Sequence, residues 1–125
     1  MTATTDKHVL TAVCALDRLV ADLGVAALFG ETQVAIFLLD DGRVFAVQNL
    51  DPFSGASVMS RGITGSRNGV ATIASPIYKQ VFSLETGECL VTMDKSPVAP
   101  HGPDLETFPV TLDNGHVFIA LAGHE

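Results

Sequence analysis

An all-β fold, a small barrel or sandwich, is what this 125-residue sequence predicts. Three observations carry that expectation. Turn formers recur along the chain, at Gly30, Asp41-Gly42, Gly55, Gly62, Gly65, Asn68-Gly69, Thr86-Gly87, Gly102 and Asn114-Gly115. Between them lie short runs rich in Val, Ile, Phe and Ala, as in a compact β domain. None of the 6 prolines falls inside a clear strand, where each would delete a ladder hydrogen bond.

The first segment, "HVLTAVC", reads as a strand followed by a turn around residues 16–19. Val9, Ala12, Val13, Leu16, Leu19 and Val20 also fit a helical stripe, and the β signals elsewhere favour the strand. "TQVAIFLL" and "RVFAVQ" flank Asp40-Asp41-Gly42, a strong hairpin signal. A loop, "NLDPFSGASVMSRG", follows; Met59 and Val58 read as its core anchors, and Gly55 as the residue that frees its turn. "GVATIA" and "QVFSL" supply two more strands around a second loop that opens with "SPIYK". "VTMDKSPVAPHGPDLE" has three prolines and no periodicity, so it reads as an extended surface loop. "FPVTL" and "HVFIAL" around Asp113-Asn114-Gly115 make the last hairpin.

The length suits one domain over residues 1–125, with 1–7 as a disordered tail. A chain of this size buries roughly 65–70% of its unfolded surface, enough for a core without staples. With 47% apolar and 17% charged residues, it is not a disordered composition. No apolar run exceeds the six residues of "VAIFLL", far short of the ~20 that span a bilayer. "MTATTDKH" has neither the basic start nor the apolar stretch of a signal peptide; the expectation is a soluble, cytoplasmic protein without a membrane partner.

A net charge of −7 works against nucleic acid, since phosphate binding needs clustered cations. The charge is unevenly spread. Residues 52–84 contain Arg61, Arg67 and Lys79 and no acid, which leaves −10 for the rest. An acid-free middle in an acidic chain is a candidate docking face with its own sign.

Little in the sequence points to catalysis. Cys14 and Cys89 lie far apart beside no activating residue and read as reduced thiols. His8, His101, His116 and His124 lack the spacing of a zinc site, and no phosphate-cradling or nucleophile-elbow motif occurs in a usable context. What remains is the two loops. They are parallel in form: Asp51-Pro52-Phe53 in one, Ser75-Pro76-Ile77-Tyr78 in the other. Each has a polar residue, a proline, and then an aromatic near the turn.

This pair resembles the two ligand loops of a Rieske domain, which hold a [2Fe–2S] cluster through C-x-H and C-x-x-H. On that resemblance Asp51 and Phe53 stand at the first Cys and His, and Ser75 and Tyr78 at the second Cys and His. The prolines and the strand-turn at 82–87 are kept, while all four ligand types are gone. Carboxylate, phenyl, hydroxyl and phenol cannot replace two thiolates and two imidazoles, so the expectation is a Rieske-like fold that carries no cluster.

More specifically, the chain is similar to the small subunit of the NADH-dependent assimilatory nitrite reductase. The matching pieces run from about Gly24 to Leu121: "GVAALFG", "QVAIFLLDDGRVFAVQNLDPFSGASVMSRGI", "ASPIYKQVFSLETGECL" and "FPVTLDNGHVFIAL". The resemblance implies an accessory role in nitrate and nitrite assimilation. The partner is a large subunit that holds FAD, siroheme and a [4Fe–4S] cluster and reduces nitrite to ammonium; no cofactor, metal or catalytic residue is implied in this chain. Phe53 and Tyr78 become candidates for plugs in the cluster's place, and Phe53, Arg61, Tyr78 and Lys79 candidates for contacts to the large subunit. Asp51 is a candidate tie for Arg61. The other reading is a free-standing binding or scaffold module for another oxidoreductase.

Overall fold

The computed structural model describes residues 8–122; the tail expected at 1–7, and His124, lie outside them. Among the described residues, eleven strands form three antiparallel sheets. In chain order they are β1 (His8–Ala15), β2 (Gly24–Phe29), β3 (Thr32–Leu38), β4 (Val44–Gln48), β5 (Ile63–Arg67) and β6 (Val70–Ala74). Then come β7 (Val81–Ser83), β8 (Cys89–Val91), β9 (Thr107–Phe108), β10 (Val110–Asp113) and β11 (His116–Ala122). One sheet has the order β1-β11-β10, the second β2-β3-β4-β9 and the third β5-β6-β7-β8. The only helical turns among the described residues are short 3-10 pieces at Leu16–Arg18 and Met59–Arg61. The all-β expectation, the opening strand and its turn, and both hairpins agree with this.

The inner strands of the second sheet, β3 and β4, are buried on both faces, and β3 shows how. Val34 and Ile36 join a core with Leu19, Val44, Ala46, Phe108, Val117 and Ile119, on the side of β11. Ala35 and Phe37 point the other way, into a core with Val47, Phe53, Met59, Ile73, Phe82 and Leu84. A strand packed on two sides must be apolar at successive positions. That is why "VAIFLL" is an unbroken run, whereas β10, buried on one side at most, is broken by Thr111 and Asp113.

The tight turns follow their residue types. Asn68-Gly69 and Asn114-Gly115 both have positive φ at each residue (50° and 82°, 52° and 78°), the two-residue turn whose twist matches the flanking strands. At the β3–β4 turn the Gly42 N–H donates to Leu39 O and the Leu39 N–H to Arg43 O, with φ 94° at Gly42. Gly24 needs its missing side chain for another reason, since a Cβ there would come within 2.2 Å of the Ser60 carbonyl oxygen. The second loop of the third sheet and the return after β4 both lie beside the core that holds Phe53, and this places the site.

Candidate functional site

The two loops are built by one local device used twice. In the first, the Asp51 carboxylate accepts the Phe53 N–H (2.9 Å), and the Gly55 N–H returns to Asp51 O (2.8 Å). In the second, Ser75 Oγ accepts the Ile77 N–H (3.2 Å), and the Lys79 N–H returns to Ser75 O (3.1 Å). Asp-Pro and Ser-Pro favour such turns because the short side chain serves as an acceptor for the N–H two residues on and Pro fixes the backbone between. Asn49 closes the base of the first loop: its Oδ1 accepts the Ser60 N–H (2.8 Å) and its Nδ2 donates to Ser57 O (3.2 Å).

The turns are joined side chain to side chain. Ser75 Oγ donates to Asp51 Oδ2 at 2.6 Å, and Ser54 Oγ donates to the same oxygen at 3.0 Å. Asp51 is fully buried and Ser75 nearly so. The carboxylate therefore has three donors in place of water, the condition for burying it. Asp51 is not tied to Arg61, as the sequence reading had allowed; its acceptors are spent on its own loop and on Ser75.

At the positions that would carry ligands, the residues do not suit a [2Fe–2S] cluster. Asp51 and Ser75, which the resemblance sets at the two cysteines of one iron, bond each other directly and leave no space between them for an ion. At the first histidine position stands Phe53, 3% exposed, its ring 6.1 Å from that of Phe82. Phe53 is thus packed in the core beside the loops rather than presented at the surface. Tyr78, at the second histidine position, is 42% exposed and is not a plug. Among the described residues no three His, Cys, Asp or Glu side chains converge. Burial pushes both thiols up, at Cys14 and at Cys89, away from the thiolate that metal binding or nucleophilic attack needs.

Around the loop tips the exposed side chains include apolar and basic ones, with Asp94 as the one acid among residues 75–80 and 92–98. Ile77, Tyr78 and Lys79 are exposed, and so are Met93, Lys95 and Val98 of the proline-rich segment, which is tied to both loops. Lys95 Nζ sits 4.6 Å from the centre of the Tyr78 ring. The segment is held by Val98 N–H to Pro52 O (2.9 Å) and by Gln80 Nε2 to Thr92 O (3.3 Å). Gln80 is fully buried, and its Oε1 has no partner among the described residues. Sequence reasoning missed Met93, Lys95 and Val98. Their only signal was a loop without periodicity, and nothing in it tells where such a loop lies.

Arg61 is elsewhere. It lines an open groove of about 740 Å³ together with Asp22, Leu23, Asp40, Asp41 and Ile63, and no tip residue lines that groove. The four proposed contacts are therefore not one patch: one is buried, one is in a groove of mixed charge, and Tyr78 and Lys79 share the tip.

Comparison with known proteins gives the context. The model of the Rieske-like [2Fe–2S] domain family matches residues 9–120. The small subunit of nitrite reductase (NADH) from Escherichia coli K12 is 43% identical over 79 residues, 62% of this chain and 73% of that protein. A crystal structure from Mycobacterium tuberculosis, assigned as an NADH-dependent nitrite reductase small subunit, superposes with a TM-score of 0.81. It is 44% identical, over 95% of this chain and 100% of that one. The large subunit of nitrite reductase [NAD(P)H] from Klebsiella oxytoca also matches, 37% identical over 109 residues, which is 86% of this chain but 10% of that protein. With the fold and the paired loops in place, the chain belongs to the Rieske-like domain family and, within it, to the nitrite reductase (NADH) small subunits.

Proposed function

We propose that this chain works as the accessory small subunit of an NADH-dependent nitrite reductase in the cytoplasm, carrying no cluster and no catalytic residue of its own. It docks on the large subunit, which would bring the FAD, siroheme and [4Fe–4S] cluster. The observation that carries the reading is the Asp51–Ser75 hydrogen bond at 2.6 Å: the loops of a redox domain are closed by a carboxylate and a hydroxyl, so redox work falls to a partner. The Klebsiella oxytoca relative supports the same partner, because a segment similar to this chain is part of a large subunit there. Docking through the loop tips, by Tyr78 and Lys79, fits their exposure; tyrosine is favoured at interface centres, and a lysine beside it supplies charge complementarity.

The test is NADH-dependent nitrite reduction by the large subunit, with and without this chain, at matched flavin and siroheme content. A rise in turnover that Tyr78→Ala abolishes is the expected result. The Arg61→Glu variant, altered in the separate groove, should still support turnover. No rise and no complex on gel filtration would reject the reading in favour of a scaffold for a different oxidoreductase.

A further inference from the structure

Four non-glycine residues with positive φ lie outside the Asn-Gly hairpin turns: Asp22, Lys79, Met93 and Asp94. Three of the four are at the loop tips. A left-handed backbone is natural for Gly and tolerable for Asn, but it is uncommon for Lys and Met. Strain of this kind persists where the surroundings over-determine it, and it concentrates at functional surfaces. Long side chains are exposed here: Met93 is 49% exposed, and Ile77, Tyr78 and Val98 are each at least 40% exposed.

The sign of the charge points the same way. The chain carries 14 acids, yet residues 75–80 contain none and residues 92–98 one, Asp94, against Lys79 and Lys95. Lys95 rests on the Tyr78 ring, a weak contact at an exposed site that a carboxylate can readily displace. The turn at 92–95, closed by Lys95 N–H to Thr92 O (3.2 Å), is fixed to the second loop from below through Gln80. The two segments therefore present one surface.

Building on the docking role above, we infer that the turn at 92–95 is the second half of the docking face. Its counterpart on the large subunit is an acidic patch around an apolar centre. Met93, Ile77 and Tyr78 fill the apolar centre, and Lys95 leaves the Tyr78 ring to pair a carboxylate across the interface, with Lys79 doing the same beside it.

Binding of the cofactor-loaded large subunit to parent, Lys95→Glu and Met93→Asn chains, measured by calorimetry at about 0.05 M and 0.5 M salt, tests this. Parent affinity should fall with salt, and Lys95→Glu should weaken binding roughly tenfold or more at low salt while flattening the salt dependence. Met93→Asn relaxes the left-handed backbone but removes the apolar side chain. It should raise the melting temperature and weaken binding together. A higher melting temperature with parent affinity, or a Lys95→Glu chain that binds as the parent does, would overturn the inference and leave the docking role standing. No complex with the parent at either salt would instead defeat the docking role itself.

Discussion

Asp51 is the residue on which both loops depend. Removing its carboxylate by Asp51→Ala strands the buried Phe53 N–H and Ser75 hydroxyl and the half-buried Ser54 hydroxyl. Each buried donor left unmade costs about 1–3 kcal/mol, so a loss of at least ~3 kcal/mol is expected in denaturant unfolding. Ser75→Ala removes one of the three bonds and should cost about 1–3 kcal/mol. Equal losses for the two variants would contradict the hub role of the carboxylate. Phe53→Ala, which empties a ring site beside Phe82, should cost about 3–5 kcal/mol; an unchanged melting temperature would show that the ring is no plug. The residue types at 51, 53, 75 and 78 were legible in the sequence. The bond between the first and third was not, because it joins positions 24 apart and neither flank specifies the other. The burial of Phe53 against the exposure of Tyr78 was also hidden, since both follow a proline in similar surroundings and only the third dimension separates them.

At the scale of elements, the hairpins were the easiest to read, since Asn-Gly and Asp-Gly fix both turn and register through local backbone preference. The β3–β4 turn adds a titrating group. The Arg43 N–H bonded to Asp41 Oδ1 (3.0 Å), aided by the Arg43 side chain on Oδ2 (2.9 Å), holds the Asp41 carboxyl below the usual range. A carboxyl that is easier to ionise in the folded state favours folding above its unfolded pKa, roughly 4. That contribution is lost as pH falls through the lowered folded value. Carboxyl chemical shifts followed by NMR through acid should therefore show Asp41 titrating below the ordinary aspartate range, and Arg43→Ala should bring it back up. The proline-rich segment was legible as a surface loop but not as a neighbour of the tips. Its ties run from Val98 N–H to a carbonyl in the first loop and from a buried glutamine to Thr92 O, and backbone acceptors leave no trace in residue type.

For the whole molecule, the sequence allowed a barrel or a sandwich, and the difference lies in β3. Its apolar run does not by itself say that the strand has a core on each side. Family membership was legible because "DPFSGASVMSRG" and "SPIYKQVFSLETGECL" keep the Rieske frame while changing its ligand residues. The second sheet gives a prediction at this scale as well. Ile119→Ala in one core and Ile73→Ala in the other should each lower one shared unfolding transition, because β3 and β4 belong to both cores. Two resolved transitions by calorimetry, each answering to one substitution, would contradict that coupling.

The bond between Asp51 and Ser75 also bears on how the protein comes to exist in a cell. A domain closed by iron and sulfide waits for assembly factors, and it is spoiled by oxygen and by chelators. A carboxylate and a hydroxyl are present as soon as the chain is made. The loops close with the rest of the fold, and refolding in air with a strong chelator and a reductant should return the parent's far-ultraviolet signal and melting temperature in full. Dependence on added iron would show that some other group closes the loops. Under the docking role proposed above, a small subunit closed in this way would be ready before its partner has acquired its prosthetic groups.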